Sequence, residues 1–362
     1  MRLQFNSKYV LISLLLPITV LSIAGSAMGT VTCPGPSTLQ GVDVSQFNGT
    51  IDWSTVAASG IKFAYASVSD GTTLDVTFDA NYSGIKAAGL ARGAYQFFRP
   101  AQDPAAQATL LLQKIGTLRA GDLPPALDVE VTDGQSAATI IANIQTWVTA
   151  VQNATGRPPI VLTGSFFWNG AVGGSSSFAG DPLWILNWLV VCPNLPSAWN
   201  NWTFWNYRPN GSVPGIPAFV DLDEFNGSLA DLRELSIVPF ASFHAAVQVD
   251  EDAFATEGSF SLGIANHAID PLHEDTTIQV ASFSTTIPAV SFKETPNGQF
   301  YFAGIINGVS LEAGFLPVGG SRFVYIVAAQ GVNMNGTTNP VTVTLTIGNQ
   351  RGTAITNAQF ED

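Results

Sequence analysis

Acid–base chemistry needs side chains that hold and release a proton near neutral pH. One stretch of this 362-residue chain groups them tightly, Asp128-Val129-Glu130. The pair closes an apolar run that begins at Ala126 and reads as a strand. Alternation along a strand puts both carboxyl groups on one face, roughly 7 Å apart. Two acids pointing into a poorly solvated interior repel each other, and the pKa of one rises. A carboxylic acid that keeps its proton is what glycosidic cleavage asks of a general acid. Two hydrogen-bonded polar residues closing a strand fit the same spacing, which by itself does not separate the two readings.

Two more acidic positions bear on the choice. Asp43 lies in the first strand candidate, and Asp221-Leu222-Asp223 puts two acids on one face of the last. In a closed barrel the first and last strands are neighbours, so Asp43 is expected beside Asp221 and Asp223. Clustered carboxylates destabilise a fold, which favours a functional reason for them. All three histidines (His244, His267 and His273) lie beyond residue 236, so a histidine triad or histidine-containing zinc site is excluded from the preceding region. That region has only three glutamates, Glu130, Glu224 and Glu234. Carboxylate chemistry with no metal and no cofactor is the expectation. Aromatic residues crowd the same strand ends, and sugar rings stack on aromatic faces. Tyr95, Trp188 and Tyr207 are the expected ligand contacts, with Asp223 beside them.

The elements that must position these groups alternate. Strand candidates are Gly41–Ser45, Phe63–Val68, Arg92–Phe98, Ala126–Val131, Ile160–Thr163, Leu183–Trp188, Phe204–Tyr207 and Val220–Phe225. Several are apolar on both faces, as strands covered by helices are. Helical patterns span Phe78–Ala88, Ala105–Leu118 and Ala137–Gln152, the last with one stripe of Ile140, Ile141, Ile144, Trp147, Val148 and Val151. Eight strands with intervening helices predict an α/β fold, an irregular (β/α)8-type barrel over residues 30–235, with its site at the strand C-terminal ends. Beyond Leu235 the texture changes to strand-like runs (Ala245–Val249, Thr277–Phe283, Gln299–Ile306, Arg322–Ala328, Val341–Ile347) separated by Asn-Gly turns. This predicts an all-β sandwich over residues 236–362. Acids outnumber bases there eleven to three, so adhesion to anionic polymers by charge is disfavoured. Any glycan contact would fall to Phe300, Tyr301 and Tyr325. Binding module, docking surface and spacer all stay open.

The ends and the charge bound the setting. Arg2 and Lys8 precede an apolar run from Tyr9 to Ile23, followed by small residues, which predicts an export signal over residues 1–29. The run is short for a membrane span, so no stable insertion is expected after cleavage. The product is then secreted or periplasmic. A net charge of −13 with no basic run excludes a nucleic-acid binder. Cys33 and Cys192 either pair in an oxidising compartment or stay apart; sequence leaves this open.

Several motifs point further. Gly41–Ser45, Ile51-Asp52-Trp53, Gly60–Ala64, Arg92–Tyr95, Phe97–Pro100, Leu123–Glu130, Gly156–Pro159, Trp202–Trp205 and Val220–Ser228 stand in the order and spacing of one family. Over about residues 40–232 the chain closely resembles glycoside hydrolase family 25, the secreted N-acetylmuramidases. The resemblance implies an irregular β/α barrel and cleavage of the β-1,4 bond from N-acetylmuramic acid to N-acetylglucosamine. Its partner would be the glycan strands of peptidoglycan, met by a monomer. It also implies roles: Glu130 as general acid/base, Asp128 orienting a 2-acetamido group that attacks with retention, Asp43 and Asp221 holding the sugar. Ser67, Asp70, Gln96 and Asn187 depart from common family residues at groove positions, with Gln96 replacing a common histidine. They bear on glycan preference. A chitinase-like hydrolase also uses a strand-end Asp-x-Glu, but Ala126-Leu127 replaces the longer Asp-rich signature. A wall-binding protein with a decayed site would lack Glu130.

Overall fold

The computed structural model describes residues 29–360, so the expected export signal, but for Gly29, lies outside it. Nine strands make the first sheet: β1 (Leu39–Val44), β2 (Phe63–Asp70), β3 (Thr73–Leu74), β4 (Ala91–Phe97), β5 (Ala126–Asp128), β6 (Ile160–Gly164), β7 (Leu183–Leu186), β8 (Phe204–Gly211) and β9 (Val220–Phe225). Their order is β1-β9-β8-β7-β6-β5-β4-β2-β3, and β1 also pairs with β2, so eight strands close into a barrel with β3 appended. Helices α1 (Trp53–Ala58), α2 (Phe78–Ala87), α3 (Pro104–Ile115), α4 (Ala137–Thr155) and α5 (Ser165–Ala171) connect successive strands, and α6 (Leu229–Glu234) follows β9.

Local chemistry sets these boundaries. Asp103 caps α3 by accepting from the Ala105 amide at 2.8 Å, with Pro104 in the first turn. Ser136 caps α4, accepting from the Thr139 amide at 3.2 Å. Gly156 ends α4 at φ 67°, a left-handed conformation glycine adopts without a Cβ clash.

Regular β/α alternation fails at the end of the barrel. Among the described residues no helix joins β7 to β8, and β8 and β9 form an antiparallel pair, as do β9 and β1. An antiparallel return needs no crossover helix, which is how the ring closes in so few residues. β5 stops at Asp128 and β7 at Leu186, shorter than the apolar runs suggest.

Two apolar layers result from strand alternation. Outward residues such as Val42, Ala64, Ala66, Leu127 and Val161 pack under the helices with Ile144, Trp147 and Phe78. Inward residues Phe63, Tyr65, Trp184, Phe204 and Phe225 fill the barrel itself. Their rings interlock, with Tyr65–Trp184 centroids 4.7 Å apart and Phe63–Phe204 5.1 Å apart. Gly41 and Gly93 make room for them: a Cβ would fall 2.2 Å from the Phe63 ring and 2.1 Å from the Tyr65 ring.

Beyond the barrel lie β10 (Val238–Pro239), β11 (Ser242–Val249), β12 (Ala253–Ser261), β13 (Thr276–Val280), β14 (Phe283–Ile287), β15 (Lys293–Glu294), β16 (Phe300–Ile306), β17 (Val309–Gly319), β18 (Arg322–Gln330), β19 (Val341–Ile347), β20 (Gln350–Thr356) and β21 (Gln359–Phe360). They form a five-stranded sheet, β10-β20-β19-β13-β14, and a seven-stranded one, β15-β16-β17-β18-β12-β11-β21. Both contribute to one apolar cluster, including Val280, Val343 and Leu345 from the first and Val247, Leu311, Phe315 and Val327 from the second. The expected strand Thr277–Phe283 is instead a hairpin, turning at Ala281 with φ 51°. Phe300 and Tyr325 point into the cluster, and only Tyr301 of the three proposed aromatic contacts is exposed.

This region meets the barrel at the end where the parallel strands begin, away from Asp43 and Asp128. Arg119, just before β5, lies 2.9 Å from His267 Nδ1, and Arg351 Nη1 donates to Glu234 Oε2 of α6 at 2.6 Å. Cys33 and Cys192 are bonded, with Cα atoms 4.4 Å apart, which ties the chain's start to the loop after β7. Among the described residues, no helix is long and apolar enough to cross a membrane.

Candidate active site

The aromatic filling of the barrel stops one layer below its strand C-terminal ends, and the inward positions above it are acidic. β1 and β9 pair so that Asp43 stands directly opposite Asp221. Asp128 ends β5 across the barrel, and Glu130 follows two residues later. Asp223 sits one inward position deeper, fully buried, accepting from the Trp184 indole N–H at 3.0 Å. Glu130 and Asp221 are partly exposed, whereas Asp43 and Asp128 are buried.

Burial dominates the electrostatics. It pushes Asp43 well up, and Asp223, Asp221 and Asp128 add to the rise in that order. Asp128 is raised by burial, then by Glu130 and Asp221. One of its oxygens, Oδ1, is shielded and has no hydrogen-bond partner among the described residues, which further disfavours the charged form. Glu130 is raised by burial and then by Asp221. Burial lifts Asp221 to about 6, with Asn206 pulling the other way. The cluster can therefore keep protons on some members at neutral pH while others are charged, the separation that acid–base catalysis uses.

The other expected contacts divide. Tyr95 is inward and half-buried, close enough to Asp43 and Asp128 for their charges to raise its hydroxyl pKa beyond the effect of burial. Trp188 is 47% exposed beside the mouth. Exposed Phe47 in the turn after β1, Phe166 in the first turn of α5 and Phe219 just before β9 stand at the same end. Gln96 does not reach the mouth. It follows inward Tyr95 on β4, so alternation turns it outward under α4, where it is fully buried. There its Oε1 accepts from Trp147 Nε1 at 2.7 Å and its Nε2 donates to Ser69 Oγ at 2.8 Å. Tyr207 is also apart: its hydroxyl donates to Gln40 Oε1 at 2.7 Å, on the outward side of β1. Strand alternation accounts for this: inward Phe204 and Asn206 leave Trp205 and Tyr207 on the outer face of β8, their ring centroids 5.7 Å apart. Of the groove departures, Ser67 is buried and inward near Tyr95. Asp70 pairs with Arg99, which also reaches Asp133 at 3.3 Å, linking the loops after β2, β4 and β5. Asn187 is used structurally, accepting from the Asn194 amide at 2.8 Å.

Two residues in the cluster were not among the expected site residues. Asn206, inward on β8, donates to Asp43 Oδ2 at 2.9 Å. Trp184, inward on β7, holds Asp223. Strand parity is the signal that could have found them, since Asn206 shares a face with Phe204.

Comparison with known proteins bears on the family and the fold. The profile of the glycosyl hydrolases family 25 matches residues 42–216. Lysozyme M1 of Streptomyces globisporus is 35% identical over 224 residues, 59% of this chain and 76% of that one. The crystal structure of a lysozyme from Streptomyces coelicolor, 35% identical, superposes with a TM-score of 0.54 over 56% of this chain and 98% of its own. The spore cortex lytic enzyme SleM of Clostridium perfringens is 18% identical and covers 90% of this chain and 100% of its own at a TM-score of 0.53, a likeness of fold that runs past the barrel. A closed eight-stranded barrel with acids at its mouth, these shared residues and that profile lead to one assignment: the chain belongs to glycosyl hydrolase family 25 and is a glycoside hydrolase.

Proposed function

We propose that the chain is a secreted N-acetylmuramidase that cleaves the β-1,4 bond from N-acetylmuramic acid to N-acetylglucosamine in peptidoglycan. The observation that carries this reading is the convergence of Asp43, Asp128, Glu130 and Asp221 above an apolar floor, where burial keeps protons on acids. The lysozymes to which the chain is similar give the substrate class.

Glu130, the more accessible of the strand-end pair, gives its proton to the leaving oxygen as the glycosidic bond breaks. The carbonyl oxygen of the substrate's own 2-acetamido group forms the new bond at the anomeric carbon, held and polarised by Asp128. Water then opens this oxazolinium ion while Glu130 takes back a proton. Two inversions leave net retention. Asp43 and Asp221 hold the sugar and tune the neighbouring acids, and Tyr95 and Trp188 contact the glycan. The enzyme acts as a monomer outside the membrane, without metal or cofactor.

Residues 236–362 form, in this reading, a separately folding β-sandwich domain that targets or spaces the barrel of residues 30–235. Its contacts at the far end of the barrel from the acids favour a role other than chemistry. Parallel digests of purified peptidoglycan and chitin oligomers test the substrate class. Release of reducing ends from peptidoglycan is expected; release from chitin alone would overturn the reading.

A further inference from the structure

We infer that Asn206 is a positioning residue that orients the Asp43 carboxylate and links it to the Trp188 ring. The inference rests on the proposed role of the carboxylates in glycoside cleavage and adds a residue to it.

Asn206 is 1% exposed and lies on β8 with Asp223 as its register partner on β9. Both ends of its amide are engaged. Nδ2 donates to Asp43 Oδ2 at 2.9 Å, and Oδ1 accepts from the Trp188 indole N–H at 2.8 Å. These two bonds fix the direction of the amide. Turned over, it would set a carbonyl oxygen against the Asp43 carboxylate and an NH2 group against the indole N–H, two repulsive contacts in a shielded site. The indole therefore locks the amide, and the amide points its hydrogens at the acids. Trp188 is tethered by its edge while close to half of its surface stays open. A sugar stacked on that surface is thus coupled through two hydrogen bonds to the carboxylate across the mouth.

The groups facing Asp43 make this donor consequential. Asp221 and Asp223 approach from β9, Asp128 from β5, Tyr95 from β4, and Tyr65 on β2 is its register partner. The acids among these raise Asp43 along with its burial, whereas Asn206 opposes the rise at Asp43 and at Asp221. A donated N–H favours the charged acceptor. Without it the cluster holds a proton to higher pH. Activity in the proposed mechanism needs a charged acid at Asp128 beside protonated Glu130, so the acid limb of the pH profile should move upward.

Four variants test this on the full chain with peptidoglycan, reading kcat and KM against pH and thermal unfolding alongside. Asn206→Ala should lower kcat about tenfold or more and move the acid limb up by about one pH unit. Asn206→Asp keeps the shape and regains a donor only when protonated, so its activity should recover as pH falls. Trp188→Phe keeps a ring and loses the N–H; a smaller shift of the same sign with KM nearly unchanged is expected. Trp188→Ala should raise KM. Carboxyl 13C titration of aspartate-labelled Asn206→Ala protein reads the upward shift without turnover. Should Asn206→Ala fold poorly, Asn206→Asp and Trp188→Phe carry the test. Lowered thermal stability with unchanged pH profiles would reduce Asn206 to a packing residue and overturn the inference. Glu130→Gln separates the two levels: if it stays active the catalytic reading fails, and if it is inactive while the Asn206 profiles match wild type, this inference alone fails.

Discussion

Replacing Asp221 by asparagine should make the protein more stable at neutral pH while damaging it as an enzyme. Burial lifts the Asp221 carboxyl from 3.8 to about 6. A folded-state pKa above the unfolded one means that the proton is bound more tightly when the chain is folded. The stability this confers is fully present below the unfolded pKa and is lost as pH rises through about 6. Two pH units correspond to at most about 3 kcal/mol, less where water reaches the carboxyl. An amide in place of the carboxyl cannot ionise, so Asp221→Asn avoids that loss. The variant and wild type should unfold alike near pH 4 and diverge through pH 6. At pH 7.5 the variant should lead by about 1–3 kcal/mol. Urea unfolding at a series of pH values measures the difference directly. The same change removes a charge that raises Glu130 and Asp128. Glu130 should then release its proton earlier, moving the alkaline limb of activity to lower pH. A variant less stable than wild type at pH 7.5, or one whose gain is already present at pH 4, would refute the electrostatic reasoning.

Other changes probe the remaining parts. Glu130→Gln keeps shape and polarity but cannot deliver a proton; turnover on peptidoglycan should fall at least about 100-fold with unfolding little changed. Cys33→Ser opens a link that spans 159 residues of sequence; chemical unfolding should show a loss of about 2–5 kcal/mol, with kcat retained. A chain ending at Leu235 should remain folded and cleave soluble muropeptide oligomers at close to the full-length rate, since the acids and the contacts beyond residue 236 lie at opposite ends of the barrel. An insoluble truncation would show that the C-terminal sheets cover apolar surface the barrel needs.

Much of the barrel is legible in the sequence because inner strands buried on both faces leave continuous apolar runs, and α4 carries a full stripe between Ser136 and Gly156. The pairing of Asp43 with Asp221 follows from closure, although closure here comes through antiparallel β8–β9 and β9–β1 contacts that no periodicity announces. Strand parity separates residues that type alone does not. Adjacent Tyr95 and Gln96 cannot both face the interior of a strand, and Gln96 is the one turned away. The same reasoning separates Tyr301 from inward Phe300 and places Asn206 beside the acids. A lone asparagine between aromatic residues has no chemical signature of its own. The same count turns Tyr207 outward with Trp205, away from the acids that Asn206 meets. The bond between Cys33 and Cys192 depends on how the segment before β1 lies against the loop after β7, a tertiary fact with no trace in the spacing.

The central claim concerns which bond is cut, and the reducing ends of the products answer it. Purified peptidoglycan is digested to completion, the fragments are reduced with borohydride, and the muropeptides are sequenced by tandem mass spectrometry. Cleavage as proposed leaves every new reducing end on N-acetylmuramic acid, recovered as its alditol, and Glu130→Gln protein leaves none. New reducing ends on N-acetylglucosamine, or intact glycan strands with only peptide bonds cut, would contradict the account.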